Sequence, residues 1–397
     1  MKLTDRQKQA VESKSRGILV SASAGSGKTT AMVQRIIELI KNGANIGDML
    51  IITFTKAAAA DMRDKISSAV IDLCAADDKF AGQMRALPSA KIGTIDSWCS
   101  WLVKNYFYAV DPDADYELIG EGEQNELFET AADSLIDEYV DKSAFFAEFY
   151  EDCLTNRRDG VFKRIVRDII DYAETRVSPE EWLTTCCSEY KSGEAERYVM
   201  QAYKEREDAV FSALHEIALR ATEMGYDKLA HCCSDAESAY YAGDDMPRMV
   251  LGRKAEYAEI NADFAPIRKQ LKDLIAYKKK IEGFTDMDET REKAKALAAF
   301  ALNVYNVLQK EKKTRGLASY ADYEHLALKV LRSESVGKEA ASAYKYVFVD
   351  EYQDVNALQD ALVAEVARDA NLFIVRDVKQ SIYAFPSSEP DIFLEKY

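Results

Sequence analysis

The sequence lacks any apolar run long enough to cross a membrane. No stretch approaches the roughly 20 consecutive apolar residues of a transmembrane helix, and the first residues contain no apolar signal-peptide core. Hydrophobic residues make up 48% and charged residues 30% of the 397 positions, as in globular proteins large enough for two or more domains. We therefore expect a cytoplasmic protein without membrane contact.

Cysteine and histidine are too sparse to predict a disulfide framework or a metal site. The 7 cysteines include the adjacent pairs Cys186-Cys187 and Cys232-Cys233, but no C-x-x-C spacing. An odd number without regular spacing indicates reduced thiols, and adjacent cysteines are poor chelators. The 3 histidines fall in segments with helical patterns, so we expect them to be packing or surface residues.

A surplus of positive charge is also absent. The net charge of −16 argues against a protein that coats duplex DNA through bulk electrostatics, although a local basic groove remains compatible with it. Basic residues cluster at 268–280 and at 310–315. Each cluster is either a solvated helix face or a contact to a nucleic-acid backbone, and the residues alone leave both interpretations open.

The sequence does contain the pattern of a phosphate-binding loop. The apolar run Ile18-Leu19-Val20 leads into SASAGSGKTT at 21–30, and the residues to Lys41 repeat apolar positions at helical spacing. Small residues let backbone N–H groups surround a polyphosphate, and the helix N-terminus adds partial positive charge. Position 22 is Ala where the motif has Gly. The strand, loop and helix together predict a nucleoside triphosphate site.

Each residue of this loop has an expected role. Lys28 would reach the β- and γ-phosphates, and the Thr29 hydroxyl would ligate Mg²⁺. Gln7 lies ahead of the loop, and its amide both donates and accepts, which suits an adenine edge; a surface glutamine is the alternative. The remaining predicted cofactor contacts are Ala24, Gly25, Ser26, Gly27 and Thr30.

Two further strand–helix units follow. A buried strand at 49–53 leads through Phe54 and Thr55 into an alanine-rich helix at 57–74, and a strand at 91–95 leads into a helix from Asp96 to about 109. Residues at the carboxyl ends of parallel strands lie on the ligand-binding edge of a sheet. The alternation predicts an α/β fold with a parallel, doubly wound sheet.

Between residues 121 and 318 the pattern changes to apolar residues three and four apart, as at Ile267, Leu271 and Leu274. This spacing predicts a large all-helical domain, and the strand pattern returns only after it. We therefore predict a nucleotide-binding domain in two parts, 1–120 and 319–397, interrupted by an inserted helical domain at 121–318.

An acidic pair follows the apolar strand at 346–349. Asp350 would hold Mg²⁺ directly or through water, while Glu351 would orient and deprotonate the attacking water. Such a pair is a weak signal alone. Combined with an independent phosphate loop, it indicates ATP hydrolysis.

A last strand at 371–375 leads to Gln380, Tyr383 and Phe385. The amide could sense a γ-phosphate, and the two rings are platforms on which bases stack. Alternating aromatic residues are also typical of a buried core.

Taken in order, these segments resemble the motifs of superfamily-one helicases of the UvrD, Rep and PcrA kind. The matching segments are LTDRQKQAV, SASAGSGKTT, ITFTKAAAADMRDKI, IGTIDSWCSWLV, VFVDEYQDVNALQ and RDVKQSIYAF. Three more are most similar to AddA, the helicase-nuclease subunit of the AddAB recombination complex: NYFYAVDPDADYELI, ASYADYEHLALKVL and PDIFLEKY.

The resemblance implies a RecA-like P-loop ATPase domain that moves along single-stranded DNA and unwinds duplex DNA in double-strand-break repair and recombination. It implies ATP and Mg²⁺ as cofactors, and DNA and an AddB-like subunit or a separate C-terminal half as partners. Catalysis would rest on Lys28, Asp350, Glu351 and Gln380. The DNA strand would contact Phe54, Thr55, Thr94, Tyr383 and Phe385.

Three residues depart from the family pattern. Arg376 stands where a glycine is usual, Pro386 where an arginine is usual, and Asp96 where many members have a histidine facing DNA. The sequence stops at Tyr397, before a second RecA-like domain or a nuclease domain, so we expect weak turnover without a C-terminal half. The alternative hypothesis is a regulatory protein that binds nucleotide and single-stranded DNA without translocating.

Overall fold

A parallel sheet organises the part of the chain that the computed structural model describes, which is residues 4–21, 27–109, 116–154, 160–187, 194–242, 251–252, 254–282 and 287–376. Its strands and those of a small separate ladder are β1 (Gly17–Ser21), β2 (Met49–Thr53), β3 (Lys91–Thr94), β4 (Glu117–Leu118), β5 (Leu317–Ala318), β6 (Tyr346–Val349) and β7 (Asn371–Arg376). The main sheet has the order β1-β7-β6-β2-β3, and β4 pairs with β5. All of these pairs are parallel.

Helices make up most of the remaining described structure. They are α1 (Asp5–Glu12), α2 (Lys28–Lys41), α3 (Lys56–Ala76), α4 (Ala81–Ala86), α5 (Ile95–Tyr106), α6 (Glu121–Lys142), α7 (Ala144–Cys153), α8 (Gly160–Glu174), α9 (Pro179–Thr185), α10 (Glu194–Glu223), α11 (Asp227–Ala242), α12 (Ala258–Glu282), α13 (Met287–Arg315), α14 (Tyr320–Arg332), α15 (Gly337–Ser342) and α16 (Ala357–Val366). Among these helices, none is long and apolar enough to span a membrane.

Helices cover both faces of the main sheet because successive strand residues point to opposite sides. On one face, Met49 and Ile51 of β2 pack with residues of α2 and α3. On the other, Leu50 and Ile52 pack with residues of α5, α14 and α16. The prediction of an α/β fold with a parallel sheet is confirmed.

The end of β3 differs by one residue from the predicted strand. Ile95 begins α5 instead of ending the strand. The reason is a helix cap, since the Thr94 hydroxyl oxygen accepts a hydrogen bond from the Ser97 N–H at 3.2 Å. The predicted strands at 49–53 and 346–349 have the predicted bounds.

Two compact units divide the chain, one formed by Met1–Thr184 and Leu297–Tyr397 and the other by Thr185–Ala296. In the first unit, α6 to α8 and the end of α13 enclose an aromatic core that contains Phe146, Phe162 and Phe300. In the second, residues of α10, α11 and α12 form a separate core. The predicted domain boundaries at 120/121 and 318/319 remain predictions.

Gly337, the first residue of α15, is expected to be intolerant of a side chain. A Cβ at this position would collide with the backbone carbonyl group of Leu331, which belongs to α14 and cannot move as a side chain can. Gly337→Ala should lower the free energy of unfolding by about 2 kcal/mol, the cost of overpacking a filled site.

Gly122→Ala is the matched control, because no atom lies within 4 Å of a Cβ built at Gly122 in α6. This substitution should leave stability unchanged or raise it by up to ~1 kcal/mol through helix propensity. Urea unfolding of both variants measures the difference. Equal stabilities for the two would contradict the close packing of α15 on α14.

Candidate nucleotide and DNA site

Gly27 immediately precedes α2 and has a left-handed backbone with φ of 79°. A side chain at this position would be strained, and its Cβ would lie 3.0 Å from Nε2 of Gln7. Glycine therefore permits this backbone conformation and the close approach of the Gln7 amide. Lys28 follows as the first residue of α2, with Thr29 and Thr30 half-buried in the same turn.

Gln7 is held in place by its own helix. Its backbone N–H donates to the Thr4 hydroxyl, and its Oε1 accepts from the Thr4 backbone N–H at 2.8 Å, forming a capping box. Arg35 of α2 ties α1 to the site by donating to the Val11 carbonyl at 2.6 Å. These contacts fix the Gln7 amide next to Gly27.

The acidic pair follows β6 on the same edge of the sheet. The Asp350 N–H donates to the Ile52 carbonyl at 3.0 Å, so the sheet pairing continues one residue past the strand. Glu351 then turns sharply, with φ of 49°, and is the one non-glycine residue with positive φ among those described. Its N–H donates to Asp350 Oδ1 at 3.0 Å. A left-handed non-glycine residue costs about 1 kcal/mol, and such strain concentrates at functional sites.

Lys28 and Glu351 meet although they are 323 positions apart in sequence. Lys28 Nζ lies 3.4 Å from Glu351 Oε2, with side-chain exposures of 8% and 36% respectively. The lysine of the loop and the predicted catalytic carboxylate therefore share one site. This convergence results from the strand order, in which β7 alone separates β1 from β6.

Gln353 is a site residue whose role the sequence motifs did not predict. From the 3-10 helix Tyr352–Asp354, its Nε2 donates to Glu351 Oε2 at 2.8 Å and to Asp354 Oδ2 at 3.3 Å. The side chain is buried and therefore fixes the orientation of the Glu351 carboxylate. The sequence feature that could have identified Gln353 is an amide side chain two residues after a candidate catalytic acid.

Burial raises the pKa of Asp350, and the neighbouring Glu351 carboxylate raises it further. Burial also raises the pKa of Asp354, again with a contribution from Glu351. Three carboxyl groups thus lie close together beside the ammonium group of Lys28. A bound cation would relieve their repulsion.

The predicted DNA contacts in the described region follow β2 and β3. Thr53 pairs in register with Thr94, so both strands end at the same edge. Thr55 is exposed and caps α3, accepting from the Ala58 N–H at 3.1 Å. Thr94 is buried, and Phe54 packs partly against the core, so Phe54 offers only part of its ring to a base.

The other predicted site residues lie outside the described residues. This applies to Ala24, Gly25 and Ser26 of the loop and to Gln380, Tyr383 and Phe385 of the final segment. Their roles remain predictions.

A family model described as "UvrD/REP helicase N-terminal domain" matches residues 3–397. The chain belongs to this helicase family. It is also 31% identical to the A subunit of an ATP-dependent helicase/nuclease from Levilactobacillus brevis, over 99% of the chain and 35% of the relative. Proteins of the same name match from Pediococcus pentosaceus, with 29% identity over 98% of the chain, and from Staphylococcus aureus, with 26% over 99%.

The chain spans only part of these relatives, 36% of the Pediococcus and Staphylococcus proteins. The match confirms the predicted relationship to the UvrD and AddA helicases. The contact between Lys28 and Glu351 thus lies at the carboxyl edge of the parallel sheet, in a chain of a helicase family.

Proposed function

We propose that this chain is the ATP-binding and DNA-binding part of an AddA-type helicase, which translocates along single-stranded DNA during double-strand-break repair and recombination in the cytoplasm. Its sheet would be a RecA-like P-loop domain interrupted by a helical insertion. Duplex DNA and an AddB-like subunit, or a separate C-terminal half, would be its partners. The proposal rests chiefly on the contact between Lys28 and Glu351 in a helicase-family chain.

The oxygen donors at the sheet edge suit Mg²⁺, which prefers carboxylate, hydroxyl and phosphate oxygens and keeps several waters. Asp350 and Thr29 would hold it, because the carboxylate is buried beside a second negative charge and the hydroxyl lies in the first turn of α2. The bound ion would neutralise phosphate charge and so favour attack by water.

Side chains of the protein would carry out phosphate binding, proton acceptance and adenine contact. Lys28 would leave Glu351 and bind the β- and γ-phosphates, because an ammonium group gains more from a polyphosphate than from one half-exposed carboxylate. Glu351 would then accept a proton from the attacking water, while Gln353 keeps its carboxylate oriented. The Gln7 amide beside Gly27 would contact the adenine.

DNA would bind at the other end of the same edge, where β2 and β3 stop. Thr55 and the exposed part of Phe54 would contact the strand, together with Thr94 and the predicted contacts Tyr383 and Phe385. Nucleotide and DNA would then occupy neighbouring parts of one sheet edge.

ATP turnover tests the proposal. The chain should bind a non-hydrolysable ATP analogue and an oligo(dT) strand, but hydrolyse ATP slowly. Adding the remaining portion of one of the helicase/nuclease relatives should raise turnover by at least about 100-fold in the presence of oligo(dT), because arginine donors from a second domain contribute factors of this order or more.

Two outcomes would contradict it. Fast, DNA-stimulated turnover by the chain alone would refute the dependence on a second part. Binding of nucleotide and DNA with no stimulation under any of these conditions would favour the regulatory, non-translocating alternative.

A further inference from the structure

A buried carboxyl pair lies away from the Lys28–Glu351 contact. Asp96, in the first turn of α5, and Glu324, in α14, are hydrogen-bonded to each other. Glu324 is 5% exposed, while Asp96 is half-buried. Two adjacent carboxylates repel, so the contact requires that one of them carry a proton.

The hydrogen bonds continue from Glu324 to α16. Gln359 Nε2 donates to Glu324 Oε1 at 2.8 Å. The Gln359 Oε1 atom accepts from the Asn356 N–H at 3.4 Å, and the Gln359 N–H donates to Asn356 Oδ1 at 2.9 Å. Gln359 thus joins the cap of α16 to the carboxyl pair.

This chain of hydrogen bonds spans the two predicted halves of the site. One end, Asn356, follows two residues after the acidic segment 350–354 that contains Glu351. The other end, Asp96, follows two residues after Thr94, at the strand end predicted to contact DNA. The helices between them share one core, which leaves little room for independent movement.

We propose, building on the function above, that Glu324 is a positioning residue that couples the nucleotide site to the DNA site through Gln359 and Asp96. A change at residues 350–354 on nucleotide binding would shift the cap of α16. Gln359 and Glu324 would transmit this shift to the N-terminus of α5. In this arrangement, Asp96 is the hydrogen-bond acceptor for Glu324.

Burial favours the protonated, neutral form of Glu324. Its pKa is raised from 4.5 to about 8, chiefly by burial; the Gln359 hydrogen bond lowers this pKa, and the Asp96 and Glu174 charges raise it. Burial also raises the pKa of Asp96, which Glu324 and Lys56 lower. Cys99 of α5 lies beside both and stays a thiol, since burial raises its pKa well above the ordinary value. Neutral Glu324 therefore donates to Asp96 while accepting from Gln359.

The test measures how much nucleotide changes DNA affinity. The dissociation constant of fluorescent oligo(dT) is determined by anisotropy with and without a non-hydrolysable ATP analogue and Mg²⁺. For the unaltered chain at pH 7, we expect the ratio of the two dissociation constants to be about 5 or more. Glu324→Ala should bring it to within about 2-fold of unity, and Glu324→Gln should preserve it because glutamine reproduces the neutral donor and acceptor.

Glu365→Ala is the matched control. Glu365 of α16 accepts from Arg332 Nε of α14 at 2.9 Å, so it joins the same two helices at the surface. Its loss should leave the ratio unchanged. If weaker packing between α14 and α16 were the cause, the ratio would fall in both Glu324→Ala and Glu365→Ala.

The pH dependence distinguishes an effect of the Glu324 proton from an effect of side-chain packing. Raising the pH through about 8 should ionise Glu324 and lower the ratio in the unaltered chain, but not in Glu324→Gln. The melting temperature should also fall as the pH rises. The stabilisation from a raised carboxyl pKa is complete below pH 4.5 and is lost as the pH rises through about 8, so the melting temperature should fall relative to Glu324→Gln.

Each outcome is decisive. An unaltered chain that binds neither probe would refute the proposed function and this inference together. A normal ratio in a folded Glu324→Ala chain, or equal losses in the alanine and glutamine variants, would refute the inference alone.

Discussion

Lys28→Ala should weaken binding of an ATP analogue by about 30-fold, since charge-assisted hydrogen bonds to phosphate contribute ~2 kcal/mol. The fold should survive, because the Glu351 side chain left behind is 36% exposed and keeps its hydrogen bond from Gln353. Equilibrium titration with a fluorescent ATP analogue measures the change, and circular dichroism checks the fold.

Lys41→Ala is the matched control on the same helix. Lys41 pairs with Glu38 at 3.3 Å, almost the distance between Lys28 and Glu351, but at an exposed position. Exposed ion pairs contribute little, so nucleotide affinity should not change. If Lys28→Ala bound nucleotide as tightly as Lys41→Ala, the loop lysine would have no role in phosphate binding.

Glu351→Gln should separate binding from hydrolysis. Glutamine cannot accept the proton of the attacking water, so turnover measured with DNA and the remaining portion of a relative should fall by at least about 100-fold. Nucleotide affinity should stay the same or increase, because Lys28 no longer leaves an ion pair to reach the phosphates.

Glu38→Gln serves as the corresponding control, since it breaks the exposed pair with Lys41 and leaves the site intact. Rapid-quench measurement of ATP hydrolysis and analogue titration should be made on both variants. Undiminished hydrolysis in Glu351→Gln would show that another group accepts the proton. Loss of affinity in parallel with turnover would show that Glu351 binds nucleotide instead.

Much of the α/β part could be predicted from local patterns. The helix at 28–41 and the strands at 49–53 and 346–349 have the bounds that their apolar patterns indicated. Burial on both faces of a parallel strand requires an unbroken apolar run, and a helix that covers a sheet requires apolar residues three and four apart. Both requirements can be recognised in short windows of sequence.

The division of the helical region between compact units could not be recognised in this way. The predicted insertion at 121–318 has one uniform helical pattern, yet its helices contribute to two compact units, and only Thr185–Ala296 forms the second. Helical periodicity shows that a face is buried, but it does not show which partner buries it.

The partners of the site residues were likewise decided by tertiary structure. The sequence placed Lys28 and Glu351 in one predicted ATP site but did not show that they contact each other; strand order brings Lys28 Nζ to 3.4 Å from Glu351 Oε2. The sequence assigned no role to Gln353, and it described Asp96 only as a departure from the family, not as the partner of Glu324.

The sequence by itself thus determined the α/β class, the helicase family and the residue types at the ends of the strands. Only the tertiary structure decided which of these residues meet. The physical reason is that periodicity and motif spacing record each segment's own burial and turns, while strand order and hydrogen-bonded carboxyl pairs depend on contacts between segments far apart in the chain.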